Sequence, residues 1–290
     1  MHEAESRTTT VTPAGADPVS LRYLVAGDGP PVVLVHGIGI DAAGVSWKHV
    51  VPELASDHTV YALDLPGHGD SEKPSIRYTT DYFQQALGAF IEDRNLEGAS
   101  LAGVSMGGSV ALGYAIEQGD PERLALIDSY GLGSDAYWRP AAAVALRTPG
   151  LGQHIWSGVG SSKAAVRSSL AGLTGGALEE SFVDDVHRTV QNEAVLRTMR
   201  KWQRSEFRTT GLRTDYTDRL SELSTPTLLI HGAQDPLLPP SWSRQAHASL
   251  PNSDLHVLEG CGHWPPRECP GVVNRLLGGF LAGEYGSASD

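Results

Sequence analysis

The sequence predicts an α/β fold: a mostly parallel sheet with helices on both faces and a helical cap inserted after the sixth core strand. Three observations carry this expectation. Short apolar runs alternate with helical patterns, the later runs end in polar or glycine-rich sequence, and the alternation stops between Tyr130 and about Arg219. Strands that alternate with helices pair in parallel and are covered on both faces. The interruption is too long for a structureless loop inside a compact domain.

Taken in order, residues 8–12 and 19–25 read as a hairpin. Residues 31–35, 59–64, 99–104, 124–128, 227–231 and 255–258 follow as short apolar strands. Apolar residues recur at helical spacing over 47–55, 80–95, 108–118, 241–249 and 271–281. Within the interruption, helical patterning and the aromatic residues Tyr137, Trp138, Trp156, Phe182, Trp202 and Phe207 predict a small helical lid over 131–219. Residues 1–130 and 220–290 then form the core. An insertion that leaves from the C-terminal end of a strand lies above the carboxyl edge of the sheet, where open α/β folds place their sites. The first handful of residues and the Gly-Ser-Ala-Ser-Asp tail are expected to be disordered.

Composition removes several functions. The chain has 290 residues, 40% hydrophobic and 19% charged, and no apolar stretch approaching the roughly 18 to 20 residues that span a bilayer. The formal charge of −12 is spread along the chain, which leaves nucleic-acid binding without an electrostatic footprint. The polar, acidic start lacks the basic and apolar parts of a secretory signal, so a cytoplasmic protein without membrane attachment is expected. Cys261 and Cys269 are too few for a disulfide framework and form no Cys-x-x-Cys pair, so both are expected to be reduced thiols. There is no glycine-rich phosphate loop, no His-Glu-x-x-His and no paired Cys/His ligand set. The expected chemistry therefore uses no metal and no cofactor.

The candidate nucleophile is Ser105 in Gly103-Val104-Ser105-Met106-Gly107, placed directly after an apolar run and before an amphipathic one. Strand, tight turn and helix are the context this pentapeptide requires, because glycines two residues to either side let the backbone bend sharply and expose the hydroxyl. A serine hydroxyl needs a base to take its proton, and the base needs a partner to hold its tautomer. Among eleven histidines, His263 lies in a short glycine loop, Gly260-Cys261-Gly262-His263-Trp264, just beyond the last strand. Asp235 follows the preceding strand, which makes the order Ser105, Asp235, His263. Asp128 ends another strand and is the alternative acid.

These segments together resemble the α/β-hydrolases of the single-sheet, lidded type. The resemblance rests on His36-Gly37-Ile38-Gly39, on Asp64-Leu65-Pro66-Gly67-His68-Gly69-Asp70-Ser71, on the turn at Ser105, on residues 232–236 and on Gly262-His263. It implies that the backbone N–H groups of Ile38 and Met106 stabilise the oxyanion, with both side chains lining an apolar pocket. His36, His68, Asp64 and Ser71 read as residues that fix loops.

A serine at the turn points to an acyl-enzyme, and hydrolysis of a carboxylic ester on a small to medium, partly apolar substrate is the leading expectation. Cys261-Gly262-His263-Trp264 and the lid residue Arg188 resemble parts of the meta-cleavage-product hydrolases, which implies carbon–carbon bond hydrolysis as an alternative. In that family the lid arginine and the tryptophan beside the histidine contact a dienoate. Val104, Arg188 and Trp264 are accordingly candidate pocket residues. A triad-bearing ligand-binding protein with little turnover is the third reading. The expected partner is a small molecule, and a homo-oligomer is left open.

Overall fold

The structure is a computed structural model that describes residues 3–284. Its eight strands are β1 (Glu5–Val11), β2 (Val19–Ala26), β3 (Pro31–Val35), β4 (Thr59–Leu63), β5 (Ser100–Val104), β6 (Leu124–Ile127), β7 (Thr227–Gly232) and β8 (Ser253–Leu258). They form one sheet in the order β1-β2-β4-β3-β5-β6-β7-β8. β1 and β2 pair antiparallel, as do β2 and β4, and every other pairing is parallel.

Strand alternation divides the core. Val33 and Val35 of β3, Leu101 of β5 and Leu229 of β7 enter one apolar cluster, while Val32, Leu34, Ala102, Leu228 and Ile230 enter the other. Successive side chains of a strand point to opposite faces, so an all-apolar run demands cover on both. α3 (Thr80–Arg94), α4 (Met106–Glu117) and α10 (Pro240–Ser249) cover the first face. α1 (Ala43–Ser46), α2 (Val51–Leu54) and α12 (Pro270–Leu281) cover the second, and α11 (Pro265–Glu268) precedes α12.

Between β6 and β7 the chain forms α5 (Arg139–Arg147), α6 (Leu151–Val159), α7 (Lys163–Ala171), α8 (Glu180–Val190) and α9 (Glu193–Glu206), then a 3₁₀ turn at Thr217–Glu222. A third apolar cluster joins this insertion to the core. In it Phe182, Val186 and Met199 pack with Ile40, Val45 and Trp264. Arg267 adds a buried polar tie, donating to the Val45 carbonyl at 2.8 Å and to Asp185 of α8 at 3.1 Å.

Three expectations are corrected. Within the helix expected over 47–55 only the single turn α2 forms, after a non-helical turn at 47–50, because Pro52 has no N–H with which to continue a helix from the preceding turn. Order begins earlier than expected, since Glu5, Ser6 and Arg7 pair with Val25, Leu24 and Tyr23; the tail at 286–290 lies outside the described residues. Cys261 and Cys269 are joined in a disulfide, with Cα atoms 6.6 Å apart. The short helix α11 turns the chain back onto the loop after β8, a reversal that the residue spacing did not signal.

That disulfide closes a short loop around His263. By loop-closure entropy its removal costs about 2–3 kcal/mol. The variant Cys261→Ala/Cys269→Ala is expected to lose that much stability in urea unfolding, whereas an unchanged midpoint would mean the loop is held without it.

Candidate active site

Ser105 has φ 53° and ψ −119°, a conformation a non-glycine residue adopts only under constraint. The neighbouring glycines supply the constraint. A Cβ on Gly107 would run into the carbonyl oxygens of Val35 and His36, and one on Gly103 into the Gly107 carbonyl. Only glycine lets α4 start this close to β3. Ser105 N–H donates to the Ile127 carbonyl at 2.9 Å, which ties the turn to β6 while the hydroxyl stays half-buried at the carboxyl edge.

His263 and Asp235 reach the same point from β8 and β7. His263 Nε2 lies 3.0 Å from Ser105 Oγ, and its Nδ1 lies 2.7 Å from Asp235 Oδ2. The loop of His263 is pinned by Glu268, which accepts from the N–H groups of Gly262 and Trp264 at 2.8 Å each. Glu268 also accepts from Gly175, and His263 N–H donates to the Leu173 carbonyl, so the insertion grips the same loop.

Asp128 is brought near Asp235 but not to His263. It accepts from Gly232 N–H at 2.8 Å, and His231 Nε2 lies 3.7 Å from it and 3.5 Å from Asp235. His231 is itself held by Ser243 and the Leu238 carbonyl. Asp128, His231 and Asp235 offer ligand atoms within 4.8 Å of one another, yet the imidazole nitrogens are committed to these hydrogen bonds. Burial pulls Asp235 upward, but His263 and His231 together outweigh it and hold the carboxyl well below its ordinary range. Burial pushes Asp128 well above that range; His231 opposes this and the Asp235 charge reinforces it. The two carboxyls are therefore pushed in opposite directions, Asp235 toward its ionised form and Asp128 toward its protonated form.

The loop after β3 is held on both sides of Ile38. Gly37 N–H donates to Asp41 Oδ2 at 2.7 Å, and Gly39 N–H donates to His68 Nε2 at 3.0 Å. Burial drives His68 well below its ordinary value, so it is the neutral acceptor this bond needs. His36 accepts from Leu65 N–H, and its Nδ1 lies 2.6 Å from the Gly37 carbonyl. Asp64 accepts from Ala43 and Asp70 N–H groups, and Ser71 Oγ donates to the Asp64 carbonyl. Among the described residues the N–H of Ile38 has no protein acceptor; nor has that of Met106, the first residue of α4. A helix N-terminus leaves such amides free and favours an anion.

A cavity of about 120 Å³ opens at Ser105, lined by Ile38, Val104, Trp156, Met199, Gln203 and Trp264 among others. Two expectations change here. The Met106 side chain does not line the cavity; it is buried in the core beneath the turn. Arg188 is also outside it, with its side chain 76% exposed and paired to Asp185, because that position of α8 faces away from the serine.

Asp41, Ser46, His231 and Glu268 were missed as site residues. Asp41 accepts from Gly37, Ala42 and Ser46 N–H groups and from the Ser46 hydroxyl, and Ser46 Oγ accepts from Trp264 Nε1 at 2.7 Å. The only sequence signal was a polar pair, Asp41 and Ser46, in an otherwise apolar segment.

The chain belongs to the alpha/beta hydrolase family, whose model matches residues 32–276. It is 30% identical over 287 residues to an uncharacterized protein of Mycobacterium tuberculosis, covering 92% of this chain and 81% of that one. It is 29% identical over 261 residues to the 2-hydroxy-6-oxo-6-(2'-aminophenyl)hexa-2,4-dienoic acid hydrolase of Metapseudomonas resinovorans, covering 87% and 84% of the two chains. The crystal structure of a serine hydrolase involved in carbazole degradation, CarC, matches with a TM-score of 0.79 and 25% identity, covering 96% of this chain and 99% of that one. Among the described residues no helix is long and apolar enough to cross a membrane.

Because the pKa of Asp128 is raised on folding, the contribution of this group is fully present below the unfolded carboxyl value of about 3.9 and is lost as pH rises toward its folded value. Asp128→Asn, a mimic of the protonated acid, is therefore expected to gain stability relative to the parent as pH rises above about 4. Urea midpoints across that range test it; a pH-independent difference would mean that Asp128 is ionised in the folded state.

Proposed function

We propose that this chain is a serine hydrolase that cleaves small carboxylic esters through an acyl-enzyme on Ser105. The continuous hydrogen-bonded line Ser105–His263–Asp235 carries this reading. His263 Nε2 takes the hydroxyl proton as Ser105 Oγ attacks the carbonyl carbon, and Asp235 holds the imidazolium that forms. The N–H groups of Ile38 and Met106 receive the negative charge that develops on the carbonyl oxygen. His263 then protonates the departing alcohol, and a water activated by the same imidazole releases the acid. No step requires a metal or a cofactor. Residues 131–219 act as the lid and the remainder as the core; the lid supplies Trp156, Leu173, Met199 and Gln203 to the cavity wall.

A neutral ester suits the cavity better than a dienoate anion. No lysine or arginine lines it among the described residues, and Asp41 contributes a carboxyl. Carbon–carbon bond hydrolysis is the second reading, supported by the relative from Metapseudomonas resinovorans. Turnover of a 2-hydroxy-6-oxo-dienoate far above that of any short ester would establish it instead.

With p-nitrophenyl esters, acetate and butyrate are expected to be hydrolysed faster than decanoate. Ser105→Ala is expected to lose at least about 10⁴-fold in kcat. Asp235→Asn should fall by about 10³–10⁴-fold while Asp128→Asn stays within about tenfold of the parent; a collapse at Asp128 alone would reassign the acid. A fluorophosphonate should label Ser105, and failure to form the adduct would favour the ligand-binding reading.

Asp41 is proposed as a positioning residue for the Ile38 amide. Asp41→Asn turns an acceptor of four hydrogen bonds into a partial donor facing N–H groups. It is expected to lower kcat by about 10²-fold with little change in KM, as loss of one oxyanion donor does. An equal loss carried by KM alone would assign Asp41 to substrate binding.

A further inference from the structure

The outer face of α9 is strongly cationic in a chain whose net charge is −12. Arg197, Arg200, Lys201 and Arg204 recur at the i, i+3, i+4, i+7 spacing that gathers side chains into one stripe. They line a cavity of about 420 Å³ against the α5–α6 turn, with Arg147 on the opposite wall. No acidic side chain lines it among the described residues.

This arrangement is costly without a counter-ion. Like charges four residues apart on a helix repel by about 0.2–0.5 kcal/mol per pair, and both Arg197/Lys201 and Arg200/Arg204 are such pairs. Among the described residues Arg200 alone of the stripe has a carboxylate partner, Glu193 at 2.6 Å, and its buried Nη1 has no hydrogen-bond partner. Arg197 and Arg204 make no ion pair or hydrogen bond among the described residues. Arg147 is fixed at the rim by bonds from Nη1 to the Ala143 and Phe207 carbonyls. The first turn of α6 also borders the cavity. Its N-cap, Gly150, supplies no side-chain cap, and Gly152 lies beside Arg200, close enough that a Cβ there would be 4.0 Å from Arg200 Cδ.

We infer that this cavity binds a small soluble anion carrying two phosphoryl groups. A single carboxylate would leave most of the five cations unneutralised. Phosphoryl oxygens match the forked guanidinium donors and carry enough charge to relieve the stripe, and the amides of Gly152 and Gln153 in the first turn of α6, which have no acceptor among the described residues, add donors of the same polarity. The site is separate from the serine: Met199 and Gln203, on the inner face of α9, line the Ser105 cavity instead. The inference does not depend on which ester or ketone Ser105 meets.

Calorimetric titration of the full chain with inorganic diphosphate at low salt tests it. Binding with Kd below about 1 mM is expected, weakening at least about tenfold in Arg197→Gln/Arg204→Gln. The control Arg275→Gln, on α12, should bind as the parent does. Both substituted α9 positions are exposed and, among the described residues, unpartnered, and the substitutions relieve both repulsive pairs, so the double variant should have a thermal midpoint equal to or slightly above that of the parent and should keep its basal ester hydrolysis. Absence of binding, or equal binding by the double variant, would overturn the inference. So would co-sedimentation with phosphatidylglycerol vesicles that diphosphate does not displace, because that face would then be a lipid contact.

Discussion

The close approach of the first turn of α4 to the end of β3 is the constraint on which the site depends. Gly103 and Gly107 remove the two Cβ atoms that would prevent it. The chain can then reverse at Ser105 with a positive φ, and three consequences follow from one geometry. The hydroxyl stands out from the sheet edge, the Met106 amide starts a helix with no acceptor among the described residues, and Ile38 from the loop after β3 lines the same cavity as Ser105. Strain at one residue is thus supported by backbone contacts on several others, which is the condition under which such conformations persist.

Burial organises the groups around that turn. Two carboxyls and two imidazoles meet below the carboxyl edge, and dehydration forbids them all to be charged. Imidazoles flanking Asp235 on two sides favour its charged form, while burial works against the charge of Asp128, whose one imidazole neighbour is 3.7 Å away. The same logic governs the loop after β3, where Asp41 collects four donors and a neutral His68 accepts a fifth hydrogen bond. The polar groups here hold backbone amides in place, and only a few of them need to touch a substrate.

The strands from β3 onward were legible because apolar residues bounded by glycine or polar sequence mark each of them, whereas β1 is mostly polar and exposed and only its second half was expected. Ser105, Asp235 and His263 were singled out because each follows an apolar run. What escaped depends on contacts between segments far apart in sequence. Nothing in the order of residues shows that Glu268 reaches back to Gly262 and Trp264, or that His231 lies between two acids. The cysteine pair escaped for the same reason, since only the reversal at α11 brings Cys269 to Cys261. Arg188 was misjudged because helical patterning over 131–219 identifies helices without fixing which side of α8 faces the serine. The side chain of Met106 is core and not pocket wall, because the first turn of α4 points it beneath Ser105.

The insertion between β6 and β7 meets the rest of the chain through apolar packing at Trp264 and through the buried guanidinium of Arg267, so the cavity wall and the loop of His263 are one packed unit. A cavity of about 120 Å³ opens at Ser105 beside two amides without an acceptor among the described residues, which is where the proposed acyl-enzyme would form. Intact-mass spectrometry of protein quenched in acid during turnover of p-nitrophenyl acetate tests that claim most directly. An added mass of one acetyl group, located on the peptide containing Ser105 and absent from Ser105→Ala, is the predicted result. Turnover with no acyl adduct, or an adduct at another residue, would contradict it.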